Sequence, residues 1–433
     1  MTVASSKRNG KAVYGWTNIL TDLYNERMSL VKILDGIRVL DWTILQQGSI
    51  CSSLLGDLGA DVIKIEEPVT GDMGRYFDNF FGIKSTLPLG STYYFEICNR
   101  NKRGMTLNLK EEQGRKIFCR LVESCDVLVQ NFRVGVAEKL GLDYDTLKKI
   151  NPRLIYTHAT GMGTEGPEAH MPLIDPGALA RSGLMWSVGE EGEEEPLPVQ
   201  GALCDQSGAI FAAYGTLAAL LAREKTGRGQ KVTSSLLGGI IGLNWINTAI
   251  AGWSGRDLPR CDHTHPSSPL SNQYRCKDGQ WIMMGAYLEK YFKPFYRASG
   301  HPEILNDERF SIPEARSQHM EELVAYTEQI FLEKPLEEWI KILKKEDIIC
   351  EPIRHTSELL TDQQAFQNGY LTHYHHPRFG QDIVEIGSPV QFSEADVDIQ
   401  RPAPMLSEHT EEILAEMGYS KEEIVQFRRG KII

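Results

Sequence analysis

The chain has 433 residues, 41% of them hydrophobic and 24% charged, and carries a formal net charge of -12. That length exceeds what one hydrophobic core usually serves, so two structural units are expected. The acidic balance excludes a nucleic-acid role, which calls for a basic face, and no apolar run reaches the roughly 20 residues of a membrane-spanning helix. Lys7, Arg8 and Lys11 are not followed by an apolar stretch with a cleavage site, so no secretory signal is expected and the default location is the cytoplasm. The eight cysteines form no C-x-x-C pair and no metal-ligand spacing, which predicts reduced thiols, no disulfide and no metal.

In chain order, residues Ile37 to Trp42 (IRVLDW) predict a buried strand, Ser49 to Leu58 a helix and Asp61 to Ile65 a second strand. This is a βαβ unit opening a parallel sheet. The turn after the first strand, Leu45-Gln-Gln-Gly-Ser49, lacks the G-x-G-x-x-G spacing that admits a pyrophosphate, so the topology is Rossmann-like without a dinucleotide. A helix from Lys110 to Val122, a strand at Val127 to Gln130, a helix from Tyr144 to Ile150 and a strand at Leu154 to Ala159 extend the pattern. The acidic run from Gly189 to Glu195 predicts a solvated loop. A long apolar helix spans Ser207 to Lys225, stopped by Thr226-Gly-Arg-Gly229, with Asp205 just before it. Beyond a loop around Gly255 to Pro269, Tyr274 to Ala286 predicts a hairpin turning at Asp278-Gly279. Helices near Met320 to Leu332 and Pro335 to Lys345, a strand at Asp382 to Ile386 and a helix from Ser407 to Met417 complete the chain. The class is α/β, with a parallel-sheet domain and a second, smaller α+β unit. For Trp186, Trp245 and Trp253, core packing is expected ahead of the alternative, reception of an aryl acid.

Gly201-Ala-Leu-Cys-Asp-Gln-Ser-Gly208 puts the Asp205 carboxylate where unpaired amides and the helix dipole favour negative charge. Taken alone, such an aspartate is an N-cap or, equally compatible with the spacing, a nucleophile whose oxyanion those amides stabilise.

Several motifs in one order bear on the choice. Val39-Leu-Asp-Trp-Thr-Ile-Leu-Gln-Gln-Gly48, Leu58-Gly-Ala-Asp-Val-Ile-Lys-Ile-Glu66, Gly71-Asp-Met-Gly-Arg75, Asn101-Lys-Arg103, Asn131-Phe-Arg-Val-Gly135, Cys204-Asp205 and Thr226-Gly-Arg-Gly-Gln-Lys-Val232 resemble the class III CoA-transferases. That is the CaiB/BaiF family of formyl-CoA and carnitine CoA-transferases, and the likeness runs from Ile37 to an ending at Ala403 to Thr410. The resemblance implies a transferase that moves CoA from a donor acyl-CoA, such as succinyl-CoA, to a carboxylic acid acceptor, with Asp205 as covalent nucleophile and Asp175 beside it. It also implies a CoA site drawn from Gln46, Gln47, Arg75, Lys102, Arg103, Asn131, Phe132, Arg133 and Lys139. Glu67 stands where the formyl-CoA enzyme has a cation. No permanently bound cofactor is implied; CoA and acyl-CoA are substrates. The stretch from His265 to Gln273 contains no glycine flap, which resembles members acting on aryl or 2-hydroxy acids.

The implied architecture is a Rossmann-like large domain made from 1–225 and 351–433, a small domain at 226–350, and an interlocked homodimer. One subunit of a heteromeric aryl-succinate CoA-transferase is the related alternative. An α-methylacyl-CoA racemase shares the fold, but Ile174 stands where its proton-transferring histidine belongs.

Overall fold

Strands covered on both faces must be apolar at successive positions, and the alternation of side chains then feeds two cores at once. In the computed structural model, which describes residues 31–433, this happens along one sheet. Strands β1 (Arg38–Trp42), β2 (Asp61–Glu66), β3 (Lys102–Thr106), β4 (Val127–Gln130), β5 (Ile155–Thr160) and β6 (Gln230–Ser235) pair in parallel as a six-stranded sheet, ordered β3-β2-β1-β4-β5-β6. Leu40, Trp42, Ile63, Ile65 and Leu128 enter one buried cluster; Val39, Val62, Val127 and Val129 enter the other. The expectation on Lys7, Arg8 and Lys11 lies outside the described residues.

Helices cover both faces. Ile117, Phe118 and Leu121 of α3 (Glu112–Glu123) pack on the first cluster with Ile413, Leu414 and Ile424 from the C-terminal end of the chain. The second cluster meets Cys51 and Leu55 of α1 (Gln47–Asp57) and the alanine face of α6 (Leu203–Thr226), formed by Ala209, Ala212, Ala213 and Ala219. Small residues bring α6 close to its neighbours. A Cβ on Gly239, in α7 (Leu236–Leu243), would stand 2.6 Å from the Gly208 nitrogen, so the two helices cross at glycine.

The chain divides into two compact units: the described residues up to Ser182 with Gln200–Trp245 and Phe366–Ile433, and Gly183–Val199 with Ile246–Ala365. Residues 226–245, expected in the smaller domain, belong to the first unit because β6 extends the large sheet at β5 from Ile155↔Gln230 to Thr160↔Ser235. Residues 351–365, expected in the large domain, belong to the second unit, where β9 (Cys350–Pro352) joins β7 (Gln273–Arg275) and β8 (Trp281–Met284) in an antiparallel sheet ordered β9-β8-β7. The Asp278-Gly279 turn forms as predicted, with Gly279 at φ 81. Buried Trp339, Tyr274 and Phe331 centre this unit.

Two further sequence expectations change. The acidic run is more than a solvated loop: its backbone carbonyls at Glu193 and Glu195 accept from the Arg260 guanidinium at 2.8 and 2.7 Å. Trp186, Trp245 and Trp253 are exposed, Trp253 by 94%, because the helix carrying the last two, Trp245–Ser254, buries none of its residues in this chain. Among the described residues no single helix is long and apolar enough to cross a membrane.

Candidate active site

The helix that carries Asp205 starts earlier than its sequence suggests. Ala202 adopts a left-handed conformation (φ 54) and α6 begins at Leu203, so Asp205 lies in the first turn instead of before the helix. The cap arrives from another element. Asp175, the first residue of α5 (Asp175–Arg181), accepts through one carboxylate oxygen from the N–H of Cys204 at 2.7 Å and of Asp205 at 3.1 Å. Those amides would otherwise lack partners, and satisfying them from outside leaves the Asp205 carboxylate free of the capping role.

Asp205 is half-buried, with the backbone N–H of Gln47 near enough to its carboxylate to favour the anion. Burial first, then the neighbouring Asp175 charge, push its pKa up against the pull of that amide, to about 7. A carboxyl poised there is ionised in part at neutral pH yet poorly hydrated, which favours nucleophilic attack over idle solvation.

Gln47 is itself anchored. In the amide orientation that satisfies both ends, its side chain donates to the Thr160 carbonyl at 3.2 Å and accepts from the Leu236 N–H at 3.3 Å. A Cβ on Gly208 would lie 2.5 Å from the end of the Gln47 side-chain amide, so glycine at 208 makes room for this bridge. Tyr94, on α2 (Tyr93–Asn99), is a neighbour that sequence inspection missed. Burial, then the Cys98 thiol and the carboxylates of Asp205, Asp72 and Asp175, hold its phenol well above the usual range. Nothing local in Tyr93-Tyr94-Phe95 marks it, because those acids come from three separate segments.

Gln46 and Gln47 follow β1, while Asn131, Phe132 and Arg133 follow β4. The sheet order reverses between these two strands, the place where open α/β sheets form a ligand crevice. Gln46 and Gln47 are buried, Asn131 and Phe132 half-buried, Arg133 and Lys139 exposed. Phe132 also packs on Trp42, with ring centroids 4.7 Å apart.

The other three cations expected around phosphate are engaged inside the fold. Arg75 pairs with Glu66 at 2.6 Å, fully buried Lys102 with Asp41 at 2.7 Å, and Arg103 with Asp61, Glu412 and Glu416 at 2.8, 2.8 and 2.6 Å. Their donors face carboxylates, not solvent. Glu67 folds onto its own turn, accepting from the N–H groups of Val69 and Thr70 at 2.8 and 2.6 Å. Among the described residues no group of three His, Cys, Asp or Glu side chains is arranged to hold a metal ion.

A family model described as CoA-transferase family III matches residues 34–410. The chain is 34% identical over 404 residues to the (R)-2-hydroxy-4-methylpentanoate CoA-transferase of Clostridioides difficile, covering 93% of this chain and 99% of that protein. It is 30% identical over 411 residues to the succinyl-CoA:glutarate CoA-transferase of Mus musculus, covering 95% and 92%. The crystal structure of a CAIB/BAIF family protein from Brucella suis matches with a TM-score of 0.78 at 30% identity, over 88% of this chain and 98% of that one.

Carboxyl-selective NMR of the unliganded protein is expected to show Asp205 titrating near neutrality, at about 7. Asp175→Asn removes the second negative charge and lowers that midpoint by about one unit or more, since an adjacent like charge disfavours ionisation. An Asp205 midpoint near 4 in the wild type would contradict the geometry, 4 being about the ordinary aspartate value.

Proposed function

This chain belongs to CoA-transferase family III, and on that premise we propose that Asp205 carries CoA between two carboxylic acids as a covalent intermediate. The observation behind it is a half-buried carboxyl, freed from capping by Asp175 and facing the Gln47 N–H.

The steps balance without ATP. A carboxylate oxygen of Asp205 attacks the thioester carbonyl of the donor, forming a mixed anhydride as the carbon–sulfur bond breaks and CoA leaves as thiolate. The thiolate attacks the aspartyl carbonyl, giving an Asp205 thioester of CoA and releasing the donor acid with one oxygen that began on Asp205. The acceptor carboxylate then attacks the aspartyl thioester, regenerating an anhydride, and the thiolate attacks the acceptor carbonyl to release the new acyl-CoA. Each tetrahedral stage at the aspartyl carbon places negative charge on an oxygen beside the Gln47 N–H, where a fixed donor is worth most.

The acceptor class proposed is a 2-hydroxy or aryl acid, supported by the relative that acts on a 2-hydroxy acid and by the glycine-free stretch from His265 to Gln273. Succinyl-CoA is the proposed donor, supported by the succinyl-CoA-using relative. Arg133 and Lys139, exposed cations at this end of the sheet, are the proposed phosphate contacts, with Gln46 and Phe132 beside them; the Asn131 amide, engaged by both backbone groups of Ile44, is not proposed as a CoA contact. A racemase reading lacks support here: Ile174, which precedes Asp175, is apolar and 69% exposed.

A homodimer is proposed as the working species. Along α6, Ile210, Tyr214 and Leu221 lie on one stripe and are 56, 69 and 64% exposed, and helix Trp245–Ser254 buries none of its residues. So much apolar surface on a single chain marks an association face.

Intact-mass spectrometry after incubation with succinyl-CoA and a panel of other acyl-CoAs, followed by hydroxylamine, is expected to yield a hydroxamate that maps to Asp205 and is absent in Asp205→Ala. No adduct from any donor, together with exchange of the substrate α-proton into deuterated water, would move the assignment to the racemase. Sedimentation velocity is expected to give a dimer for the wild type, and the Tyr214→Glu/Leu221→Glu variant to lose it; a wild-type monomer that assembles only with a different chain would support the heteromer instead.

A further inference from the structure

The turn that presents the Gln47 amide is held at three successive residues, Thr43, Ile44 and Leu45. Thr43 bonds through its hydroxyl to Asp41 and to the Ser49 hydroxyl, the latter at 2.8 Å, and its carbonyl accepts from the Lys64 ammonium at 3.2 Å. Ile44 is clamped twice by one side chain: its N–H donates to the Asn131 amide oxygen at 3.0 Å and its carbonyl accepts from the Asn131 amide nitrogen at 2.7 Å. Leu45 donates its N–H to Asp72 at 3.0 Å. Leu45 also sits at φ 60, a left-handed conformation that a leucine keeps only where its surroundings over-determine it.

Asp72 is fixed in turn. It accepts from the Gly74 N–H at 2.8 Å through the same oxygen, while its other oxygen lies 2.8 Å from Lys64, both side chains being almost wholly buried. Behind Lys64 stands Asp41 at 3.9 Å, and Lys102 pairs with Asp41 at 2.7 Å while donating to the Ser49 carbonyl of α1 at 2.8 Å. Four charges in a row are thus buried under one turn. Such groups are seldom an economical way to fill a core, since apolar side chains do so without the desolvation cost.

We propose that Asp72, oriented by Lys64, and Asn131 are positioning residues: they lock Ile44 and Leu45 so that the Gln47 N–H stays aimed at the Asp205 carboxyl through the reaction. The inference rests on the assignment of Asp205 as nucleophile. Neither side chain has to touch substrate. If the turn relaxes, Leu45 leaves its left-handed conformation and the two residues that follow it rotate, turning the Gln47 donor away from the oxygen on which charge develops. Asn131 therefore acts on the chemical step, distinct from a role in holding CoA.

The test is single-turnover formation of the Asp205 thioester from an acyl-CoA that labels the wild type, with KM and kcat measured alongside. Asp72→Ala is expected to slow thioester formation about 10- to 100-fold, the effect of losing one oxyanion donor or somewhat less, with KM for acyl-CoA within about threefold. Lys64→Met/Asp72→Asn keeps an oxygen acceptor for the Leu45 N–H and removes both charges together, so it is expected to recover most of the rate. Should Asp72→Ala fail to fold, Asn131→Asp, which keeps the acceptor for Ile44 and loses the donor, is expected to lower kcat with KM held. Wild-type rates in these variants, or a rise in KM that accounts for the whole loss, would overturn the inference. Absence of any Asp205 adduct in the wild type would overturn the nucleophile assignment instead.

Discussion

A helix N-terminus offers its unpaired amides to one carboxylate, and in this fold Asp175 takes them. The consequence falls on Asp205. It stays in the first turn of α6 but has no capping bond to its own helix, and it is left beside a second negative charge in a half-buried position. An aspartate that capped its own helix would be stabilised as the anion and slow to attack. Here the cap and the proposed nucleophile are different residues, contributed by α5 and α6, and that separation lets one carboxylate hold structure while the other is free of the capping role.

The sheet order supplies the place for this pair. The order reverses between β1 and β4, the position at which open α/β sheets place their ligands. The turn after β1 enters α1 at Gln47, which reaches both the Asp205 carboxylate and, through its side chain, the end of β5 and the start of α7. Glycine at 208 and 239 brings α6 and α7 close enough for that bridge. The buried charges under the turn fit the proposed positioning role, since a fixed donor needs bonds that are costly to break.

The regular elements were legible where a segment's own pattern decided its fate. β1, β2, β4, β5 and α6 all stand out as apolar runs bounded by glycine, asparagine or aspartate, and both acids of the site lie in recognisable local contexts. β3 did not stand out, because Lys102-Arg-Gly-Met-Thr106 reads as polar and exposed. All of its residues are buried, and its cations are matched by acids 61, 42, 309 and 313 positions away, namely Asp41, Asp61, Glu412 and Glu416. Arg75 alone had a nearby hint, since its partner Glu66 is nine residues back, at the end of the preceding motif. A positive side chain in a family motif announces that a negative group is near, without saying whether that group is a ligand phosphate or a distant carboxylate. The start of α6 was misplaced for a similar reason: the cap comes from 29 residues upstream, so nothing in Ala202-Leu-Cys-Asp205 shows it.

The central claim is that the oxygen atoms of Asp205 take part in the transfer, and isotope tracing tests it most directly. A carboxylic acid acceptor labelled with oxygen-18 in its carboxylate is turned over in unlabelled water, and the peptide containing Asp205 is then examined by mass spectrometry. A single turnover is predicted to leave one labelled oxygen in the Asp205 carboxyl group, and further turnovers up to two, because the bridging oxygen of the acceptor anhydride stays with the aspartate when CoA departs with the acyl group. Full conversion of the acceptor to its CoA thioester with an unlabelled Asp205 would contradict it.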